Sequence, residues 1–267
     1  MQDRFSAIIV AAGTGRRMNS KVKKQYMEIG GRPVLYHTLK AFEKSKVDEI
    51  IIVTGEDEIP YVREQIVEGF GIKKVVAICA GGKERCDSVY EGIRQVLKRR
   101  ENAGQNMDCN GACTLSNNLF DGYVLIHDGV RPLITPELIN ACIDSVRKYG
   151  ACIPGVPEKD TVKEADENME VVRTPDRKRM FRIQTPQCFK LSLIKEAFEK
   201  YYDEIGKAED SSSVAMTDDA MLVEKYTGHK VKIIEGDYKN IKITTPEDIG
   251  MAEYFLMCIN GGFLFDS

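Results

Sequence analysis

The chain has 267 residues, of which 43% are hydrophobic, and its formal net charge is −3. A chain of this size can bury a substantial core as one large domain. The balance of charges excludes a global field that would attract nucleic acid or a membrane, and no apolar run approaches the roughly 20 residues of a membrane span. The first strand begins by about Phe5, which leaves no room for a signal peptide, so we expect a soluble, cytoplasmic protein.

Up to Pro157, apolar runs of strand length alternate with amphipathic segments of helix length. The predicted strands are FSAIIVAA (5–12), EIIIVT (49–54), KVVAICA (74–80), YVLIHD (123–128) and ACIPGVP (151–157). The predicted helices between them are PVLYHTLKAFEKS, IPYVREQIVEGF, SVYEGIRQVLKRR and PELINACIDSVRKYG. Pro33 is expected to open the first helix, and Asp87 or Ser88 to cap the third. Repeated βαβ units predict an α/β fold, with a doubly wound, mainly parallel sheet and helices on both faces.

Two stretches interrupt this alternation. Residues 100–121 are rich in Asn, Gly and Ser and lack periodicity, which is typical of a surface insertion. Residues 157–187 contain two short alternating segments, DTVKEAD and NMEVVRT, around a polar turn, and they predict a β-hairpin. A hairpin has no obvious place in a doubly wound sheet. We therefore expect it to project as a β-arm and to pack on another surface, such as a second subunit.

Four further elements complete a single domain that spans residues 1–267. The pattern predicts two helices, LSLIKEAFEKYYDEI and TDDAMLVEKYT, with Thr217 as the cap of the second. The strand KVKIIEG follows, and then a final helix that Pro246 opens. No internal repeat or coiled-coil pattern is present.

The eight cysteines show no spacing that is typical of a zinc site. Most of them lie in apolar runs such as VVAIC and NACI, where cysteine behaves as a small hydrophobic residue. The sequence therefore predicts reduced thiols rather than a disulfide framework.

The segment AAGTGRRMNSKVKKQY (Ala11–Tyr26) follows the first strand and combines a glycine turn with two arginines and three lysines. A dinucleotide-binding fingerprint would need a third glycine where Met18 stands, and no ribose-binding acid follows at the expected distance. Two glycines alone would indicate a tight turn after a strand. The dense cations beside that turn, at the carboxyl end of the strand, favour a triphosphate over a hydride cofactor.

The motif GGKERCDSV (Gly81–Val89) follows the third strand. Gly81 and Gly82 permit a close approach of the backbone to a ligand. Ser88 either caps the next helix or holds a base, and its place after a strand makes ligand contact plausible.

Two later motifs bring charged residues to loops. HDGVRP ends the fourth strand, and Asp128 stands where a carboxylate would hold a Mg²⁺ ion that bridges a nucleotide; the alternative is a loop cap that pairs with Arg131. His127 is expected to pack rather than to act in catalysis. NIKITTPED places Lys242 between two apolar neighbours in a predicted short strand, from which its side chain either reaches solvent or points at a ligand.

In this order, AAGTGRRM, KKQY, GGKERCDSV, HDGVRP, DTVK, RTPDR, RIQTPQ and NIKITTPED resemble the motifs of the 2-C-methyl-D-erythritol 4-phosphate cytidylyltransferase family of the non-mevalonate isoprenoid pathway. The resemblance covers about residues 5–256 and leaves out the insertion. It implies a homodimer of Rossmann-like subunits with interlocking β-arms. It also implies an enzyme that uses CTP and Mg²⁺ to form 4-diphosphocytidyl-2-C-methyl-D-erythritol and pyrophosphate.

Matched by motif, the resemblance also implies roles for single residues. Arg17 and Lys24 would stabilise the transition state on the CTP phosphates, Asp128 would bind Mg²⁺, and Lys242 would orient the substrate phosphate. The arm residues Thr161 and Arg177 would reach the sugar phosphate in the other subunit, which places Arg177 and Lys242 among the catalytic residues as well. The remaining implied residues hold the nucleotide (Ala11, Ala12, Gly13, Thr14, Gly15, Gly81, Gly82 and Ser88) or lie near the sugar phosphate (Arg131 and Thr185).

Several alternatives remain open. Val130 is also compatible with the sister branch, ribitol-5-phosphate cytidylyltransferase, although RTPDR and AAGTGRRM favour the methylerythritol branch. A sugar-nucleotide pyrophosphorylase would share the loop of glycines and cations. A non-catalytic nucleotide sensor would need affinity but not transition-state cations, and a Rossmann-type oxidoreductase is disfavoured by Met18.

Overall fold

The computed structural model describes residues 3–13, 22–105, 122–207 and 216–259. Its strands are β1 (Phe5–Val10), β2 (Glu28–Ile29), β3 (Arg32–Pro33), β4 (Glu49–Thr54), β5 (Val75–Ala80), β6 (Tyr123–Asp128), β7 (Ala151–Pro157), β8 (Glu164–Ala165), β9 (Val171–Arg173), β10 (Phe181–Ile183), β11 (Gln187–Lys190) and β12 (Lys232–Glu235). Its helices are α1 (Val34–Lys44), α2 (Ile59–Tyr61), α3 (Arg85–Gln105), α4 (Pro136–Tyr149), α5 (Leu191–Lys207), α6 (Asp219–Thr227) and α7 (Glu247–Ile259).

A central sheet of eight strands has the order β10-β7-β11-β6-β1-β4-β5, and β12 also pairs with β7. β1 runs parallel to β4 and β6, β4 to β5, and β7 to β12, whereas β10 and β11 run antiparallel to their neighbours. The register sets Val10 opposite both Val53 and Asp128, so the carboxyl ends of β1, β4 and β6 share one edge. The predicted α/β fold with a mainly parallel sheet is confirmed.

Both faces of the sheet are buried. Successive residues of a strand point to opposite sides, so neighbouring residues belong to different cores. Ile9 of β1 belongs to the core on one face, together with Leu39 of α1 and Ile143 of α4. The preceding residue, Ile8, belongs to the core on the other face, with helices α3, α5 and α6. Helices therefore cover both faces, as the alternating pattern predicts.

Strand bounds agree with the sequence where an apolar run has clear ends, as in β4, β6 and β7. Helix starts agree less well, because caps depend on side-chain geometry. The third helix begins at Arg85, where the Asp87 carboxylate accepts a hydrogen bond from the Glu84 N–H, so Asp87 and Ser88 lie within the first turn. Asp218 rather than Thr217 caps α6, by accepting a hydrogen bond from the Met221 N–H.

Three other segments differ from the expected elements. Pro33 lies in β3 and occupies the N-cap position of α1 instead of its first turn. The helix expected after β4 is one α-helical turn, Ile59–Tyr61, continued as a π-helix over Val62–Glu68. The chain around Lys242 is not a strand, although its neighbours Ile241 and Ile243 pack in a small core with α7.

The predicted hairpin is present. β8 and β9 pair antiparallel in a small sheet of their own, and all residues of 161–174 are exposed. The chain returns to the central sheet with β10, which pairs with β7, so the exposed arm ends before Phe181. The arm is therefore shorter than the predicted 157–187.

Part of the predicted insertion lies outside the described residues, and its first residues, 100–105, continue helix α3. Within the described ranges, no helix combines the length and apolar character that crossing a membrane requires. Six cysteines of the described part are free thiols: Cys79, Cys86, Cys142, Cys152, Cys188 and Cys258.

Candidate active site

A cavity of about 520 Å³ opens where the carboxyl ends of β1 and β6 meet the start of α3. This is the edge at which doubly wound sheets bind their ligands. Its lining combines backbone turns with charged side chains: Val10, Ala11, Ala12, Gly13, Lys24, Gln25, Gly82, Lys83, Glu84, Arg85, Ser88, Asp128, Val130, Lys242 and Thr244. Eight of the predicted site residues are in this set, namely Ala11, Ala12, Gly13, Gly82, Ser88, Lys24, Asp128 and Lys242.

The turn after β1 is fixed from below by Gln25. This side chain is almost completely buried, and its amide donates hydrogen bonds to the carbonyls of Ala11 (2.7 Å) and Gly13 (3.2 Å). Its neighbour Lys24 begins a short 3₁₀ turn, Lys24–Tyr26, and lines the cavity. Gln25 was not singled out in the sequence, because a glutamine in a basic loop carries no pattern that distinguishes a buried side chain from a solvated one.

The Gly81–Gly82 turn approaches its neighbours too closely for side chains. A Cβ at Gly81 would lie 2.6 Å from both the Ala12 Cβ and the Ser88 Oγ, and one at Gly82 would lie 2.2 Å from the Asp87 Cβ. The Ser88 hydroxyl accepts a hydrogen bond from the Gly82 N–H (3.2 Å) and donates one to the Glu84 carbonyl (3.1 Å). Ser88 thus holds the turn that lines the cavity. Gly81 lies behind that lining.

Asp128 is the centre of the charged groups. Its buried carboxylate lies 2.9 Å from the Lys242 Nζ, 3.4 Å from the Arg85 Nε and 3.7 Å from the Arg131 Nε. Burial alone raises the pKa of Asp128, but the three cations outweigh that effect and hold the pKa well below its usual range. Asp128 is therefore ionised at neutral pH, and the local excess of positive charge suits a polyanionic ligand.

Arg85 links the cavity to helix α6. Its guanidinium donates two hydrogen bonds, of 2.9 and 2.8 Å, to the two carboxylate oxygens of Asp219. Burial favours loss of its proton, yet Asp219 and Asp128 together raise the pKa of Arg85 above its usual value. Neither Arg85 nor Asp219 stands out in the sequence, because 134 residues separate them and no local pattern marks their pairing.

A buried polar layer lies beneath Asp128. The Thr185 hydroxyl accepts a hydrogen bond from the Asp128 N–H (3.2 Å) and lies 3.0 Å from the His127 Nδ1. Arg131 donates from Nη1 to the Asn240 carbonyl (2.8 Å). Burial lowers the pKa of His127 to about 3, so its ring is neutral and packs against Phe42, as expected for a packed histidine. Thr185 and Arg131 support the site from behind and do not line the cavity.

The two arm residues lie away from this cavity in the same chain. Thr161 is exposed, and Arg177 is exposed and donates from Nη1 to the Lys159 carbonyl (2.9 Å). Neither lines the cavity. Three other predicted residues, Thr14, Gly15 and Arg17, lie outside the described residues.

The donor set fits a Mg²⁺ ion that phosphate oxygens mainly hold. Mg²⁺ commonly takes one or two carboxylates together with substrate phosphates and water. Asp128 is ionised and lines the cavity, and Glu84 adds a second carboxylate to the lining. The described residues hold no group of three or more His, Cys, Asp or Glu that could bind a metal without such help.

A mainly parallel sheet whose carboxyl edge presents glycine turns, cations and one ionised carboxylate defines a nucleotide-binding transferase of the α/β class. The model of the 2-C-methyl-D-erythritol 4-phosphate cytidylyltransferase family (IspD) matches residues 5–258. The chain belongs to this family.

Relatives and solved structures agree with this assignment. The 2-C-methyl-D-erythritol 4-phosphate cytidylyltransferase of Lachnospira eligens is 44% identical over 94% of this chain and 98% of its own length. That of Caldanaerobacter subterraneus is 45% identical, with the same coverage of both chains. The crystal structure of 4-diphosphocytidyl-2C-methyl-D-erythritol synthase from Anaerococcus prevotii superposes with a TM-score of 0.73 at 36% identity, over 96% of each chain. The predicted family is confirmed, and the ribitol branch is not favoured.

Proposed function

We propose that this chain joins CTP and 2-C-methyl-D-erythritol 4-phosphate to give 4-diphosphocytidyl-2-C-methyl-D-erythritol and pyrophosphate. The observation that carries the proposal is the convergence of Lys24, Arg85, Lys242 and Asp128 on one cavity beside two backbone turns. Membership of the family and the names of the relatives support the identity of both substrates.

The reaction needs no catalytic base. The nucleophile is a phosphate monoester with a second pKa of about 6, which is mostly a dianion at neutral pH. One of its oxygens attacks the α-phosphorus of CTP in line; a new P–O bond forms as the bond to the β-phosphate oxygen breaks, and pyrophosphate leaves. Since negative charges have to be brought together, catalysis depends on positioning and on electrostatic stabilisation.

The cations of the cavity supply that stabilisation. Lys24, with Arg17 by family resemblance, neutralises charge on the phosphates of CTP in the transition state. Lys242, held 2.9 Å from Asp128, orients the phosphate of the sugar alcohol. Arg85 and Lys83 line the same cavity and are further cations there. Water screens the attraction between these cations and the phosphates less in a cavity than it would on an open surface.

A Mg²⁺ ion belongs to the proposal as a partner of the nucleotide. Asp128 would hold it together with oxygens of the bound phosphates, and the ion would supply charge neutralisation to the leaving pyrophosphate. Because Lys242 and Arg85 already contact the Asp128 carboxylate, that carboxylate also serves to orient two cations.

The Gly81–Gly82 turn is the proposed recognition site for the base. Gly82 presents its backbone to the cavity, and the turn packs so closely on Ala12, Asp87 and Ser88 that neither glycine could carry a side chain. A small hydrogen-bonding pocket rejects a base whose donors and acceptors are reversed, which distinguishes cytosine from uracil. Ala11, Ala12 and Gly13, held by Gln25, would face the rest of the nucleotide.

The arm is the proposed contact to a second subunit. Its exposed apolar residues Met169, Val171 and Val172 would pack on the partner in a homodimer. By family resemblance, Thr161 and Arg177 would then reach the sugar phosphate bound in the other subunit; neither residue lines the cavity of its own chain.

The direct test is release of pyrophosphate from CTP and Mg²⁺, with methylerythritol 4-phosphate or ribitol 5-phosphate as the acceptor. Release with the methylerythritol compound alone is the expected result. Release with ribitol phosphate alone would retain the nucleotide site and contradict the acceptor. Binding of CTP without release for either acceptor would favour a nucleotide sensor.

A further inference from the structure

Lys23 and Lys24 are adjacent in a loop of several cations, yet they have different surroundings. Lys24 lines the cavity. Lys23 forms an ion pair with Glu58, with 2.7 Å between Nζ and Oε1, and is absent from the cavity lining. A short turn with two neighbouring lysines could present either of them to a ligand. The contacts of the turn therefore determine which of the two lysines faces the cavity.

Glu58 makes most of these contacts. Its Oε2 accepts hydrogen bonds from the Tyr26 hydroxyl (3.2 Å), the Thr54 hydroxyl (3.1 Å) and the Gly55 N–H (3.1 Å), while Oε1 holds Lys23. The Glu58 side chain is 14% exposed, so water competes little for these contacts. The same carboxylate thus ties both ends of the turn at 23–26 to the carboxyl end of β4.

Tyr26 is a reliable donor in this network. Burial is the main cause that raises its pKa above the usual value, so its hydroxyl keeps its proton. The hydroxyl also lies 2.9 Å from the Thr54 Oγ1, and its ring packs edge-on against Tyr61. Between Lys23 and Tyr26, Gln25 binds the turn after β1. Each of the other three residues of the turn at 23–26 is therefore held by a side-chain contact, and Lys24 is the residue that faces the cavity.

We propose that Glu58 is a positioning residue that binds Lys23 and Tyr26 and thereby fixes the register in which Lys24 faces the CTP phosphates. The inference rests on the proposed role of Lys24 and deepens it. The placement of a catalytic cation has a large effect on rate, because a displacement of about 1 Å can cost on the order of 100-fold. Glu58 acts through Lys24 and has no contact with substrate in this account.

The test is a double-mutant cycle between Glu58→Gln and Lys24→Ala, read as kcat for pyrophosphate release at saturating substrates. Glu58→Gln keeps the size of the side chain and removes the charge that holds Lys23. We expect it to lower kcat about tenfold, as for one lost charge-assisted hydrogen bond. In the Lys24→Ala background we expect less than a twofold further change, because the positioned group is already gone.

Lys23→Met is the second variant, because it breaks the ion pair and leaves the other contacts of Glu58 in place. It should lower kcat like Glu58→Gln. Asp57→Asn is the matched control and should leave kcat unchanged, because Asp57 is an exposed neighbour of Glu58 in the 3₁₀ turn Glu56–Glu58. Thermal melting checks that each variant is folded.

The outcomes separate this inference from the proposed function. Equal losses from Glu58→Gln with and without Lys24 would overturn the inference and leave a general structural role. An unchanged kcat in folded Glu58→Gln would overturn it as well. Normal turnover in Lys24→Ala would instead remove Lys24 from catalysis, and with it the basis of both proposals.

Discussion

Asp128 in the cavity is buried and contacts three cations of its own chain, whereas Arg177 on the arm is exposed and donates to a backbone carbonyl of the arm itself. The cavity lies at the carboxyl edge of the eight-stranded sheet, beside the start of α3. The arm consists of a hairpin with two and three residues in its strands. The two regions thus differ in how far one chain alone can fix a charged side chain.

This difference is the basis for proposing that the arm packs on a partner. An isolated two-stranded hairpin is marginally stable in water, and Met169, Val171 and Val172 bury little surface in this chain. The described side chains and turns that line the cavity all come from one chain. A partner that covers these apolar residues would stabilise the arm. The proposed division follows: the nucleotide site lies within one chain, and the acceptor site is completed by a second.

Lys24→Ala gives the largest expected effect and tests the cavity side of the comparison. Losing one group that stabilises the transition state should lower kcat on the order of 100-fold or more. Since Lys24 is partly exposed, the melting temperature should change little. The two readouts are steady-state turnover and a thermal melt. Turnover near the wild-type value would remove Lys24 from this role.

Arg177→Ala tests the arm side. Removal of a charge-assisted hydrogen bond to the sugar phosphate should raise its KM roughly tenfold or more, while the KM for CTP stays nearly constant. Separate titrations of the two substrates measure the split. Lys178→Ala, in the same exposed turn, is the matched control and should leave both values unchanged. Equal effects of Arg177→Ala on both substrates would contradict the division between cavity and arm.

Acid stability gives the smallest expected effect and probes the layer beneath Asp128. Burial lowers the pKa of His127 from 6.5 to about 3. Between these two pH values the histidine is protonated in the unfolded chain but stays neutral in the folded chain. Stability should therefore fall as the pH decreases from 6.5 towards 3, by roughly 2 kcal/mol between pH 6.5 and 5 from this group. His37, whose pKa burial also lowers, contributes in the same direction.

Urea unfolding at both pH values measures this loss. His127→Gln should show a smaller loss than the wild type. If His127→Gln and the wild type lost the same stability, the buried neutral histidine would not be the cause.

Much of the fold could be predicted because strands carry a signal in a few adjacent residues. The apolar runs at Glu49–Thr54 and Tyr123–Asp128 have the predicted bounds. Caps were less predictable, since Asp218 and Thr217 are both good capping residues and tertiary packing decides between them. The chain at Lys242 was predicted as a strand but is irregular, because alternation of apolar and polar residues cannot show whether a partner strand is present.

The candidate site was partly predictable, because several of its residues directly follow predicted strands. The carboxyl ends of parallel strands meet at one edge, so Gly82 and Asp128 could be expected together. Arg85, Asp219 and Glu58 could not, because their roles arise from pairs of side chains that are far apart in the sequence. The positions of Arg131 and Thr185 behind the cavity likewise depend on packing that no local pattern encodes.

The most direct test of the division between cavity and arm is the activity of a mixed dimer. Lys24→Ala and Arg177→Ala chains with different tags are coexpressed, the heterodimer is purified through both tags, and pyrophosphate release is measured below the KM for the sugar phosphate. If the arm completes the partner's site, one of the two sites is intact, and the heterodimer should show about half of the wild-type activity. If each arm serves its own chain, both sites carry a defect, and an activity midway between those of the Lys24→Ala and Arg177→Ala homodimers would contradict the account.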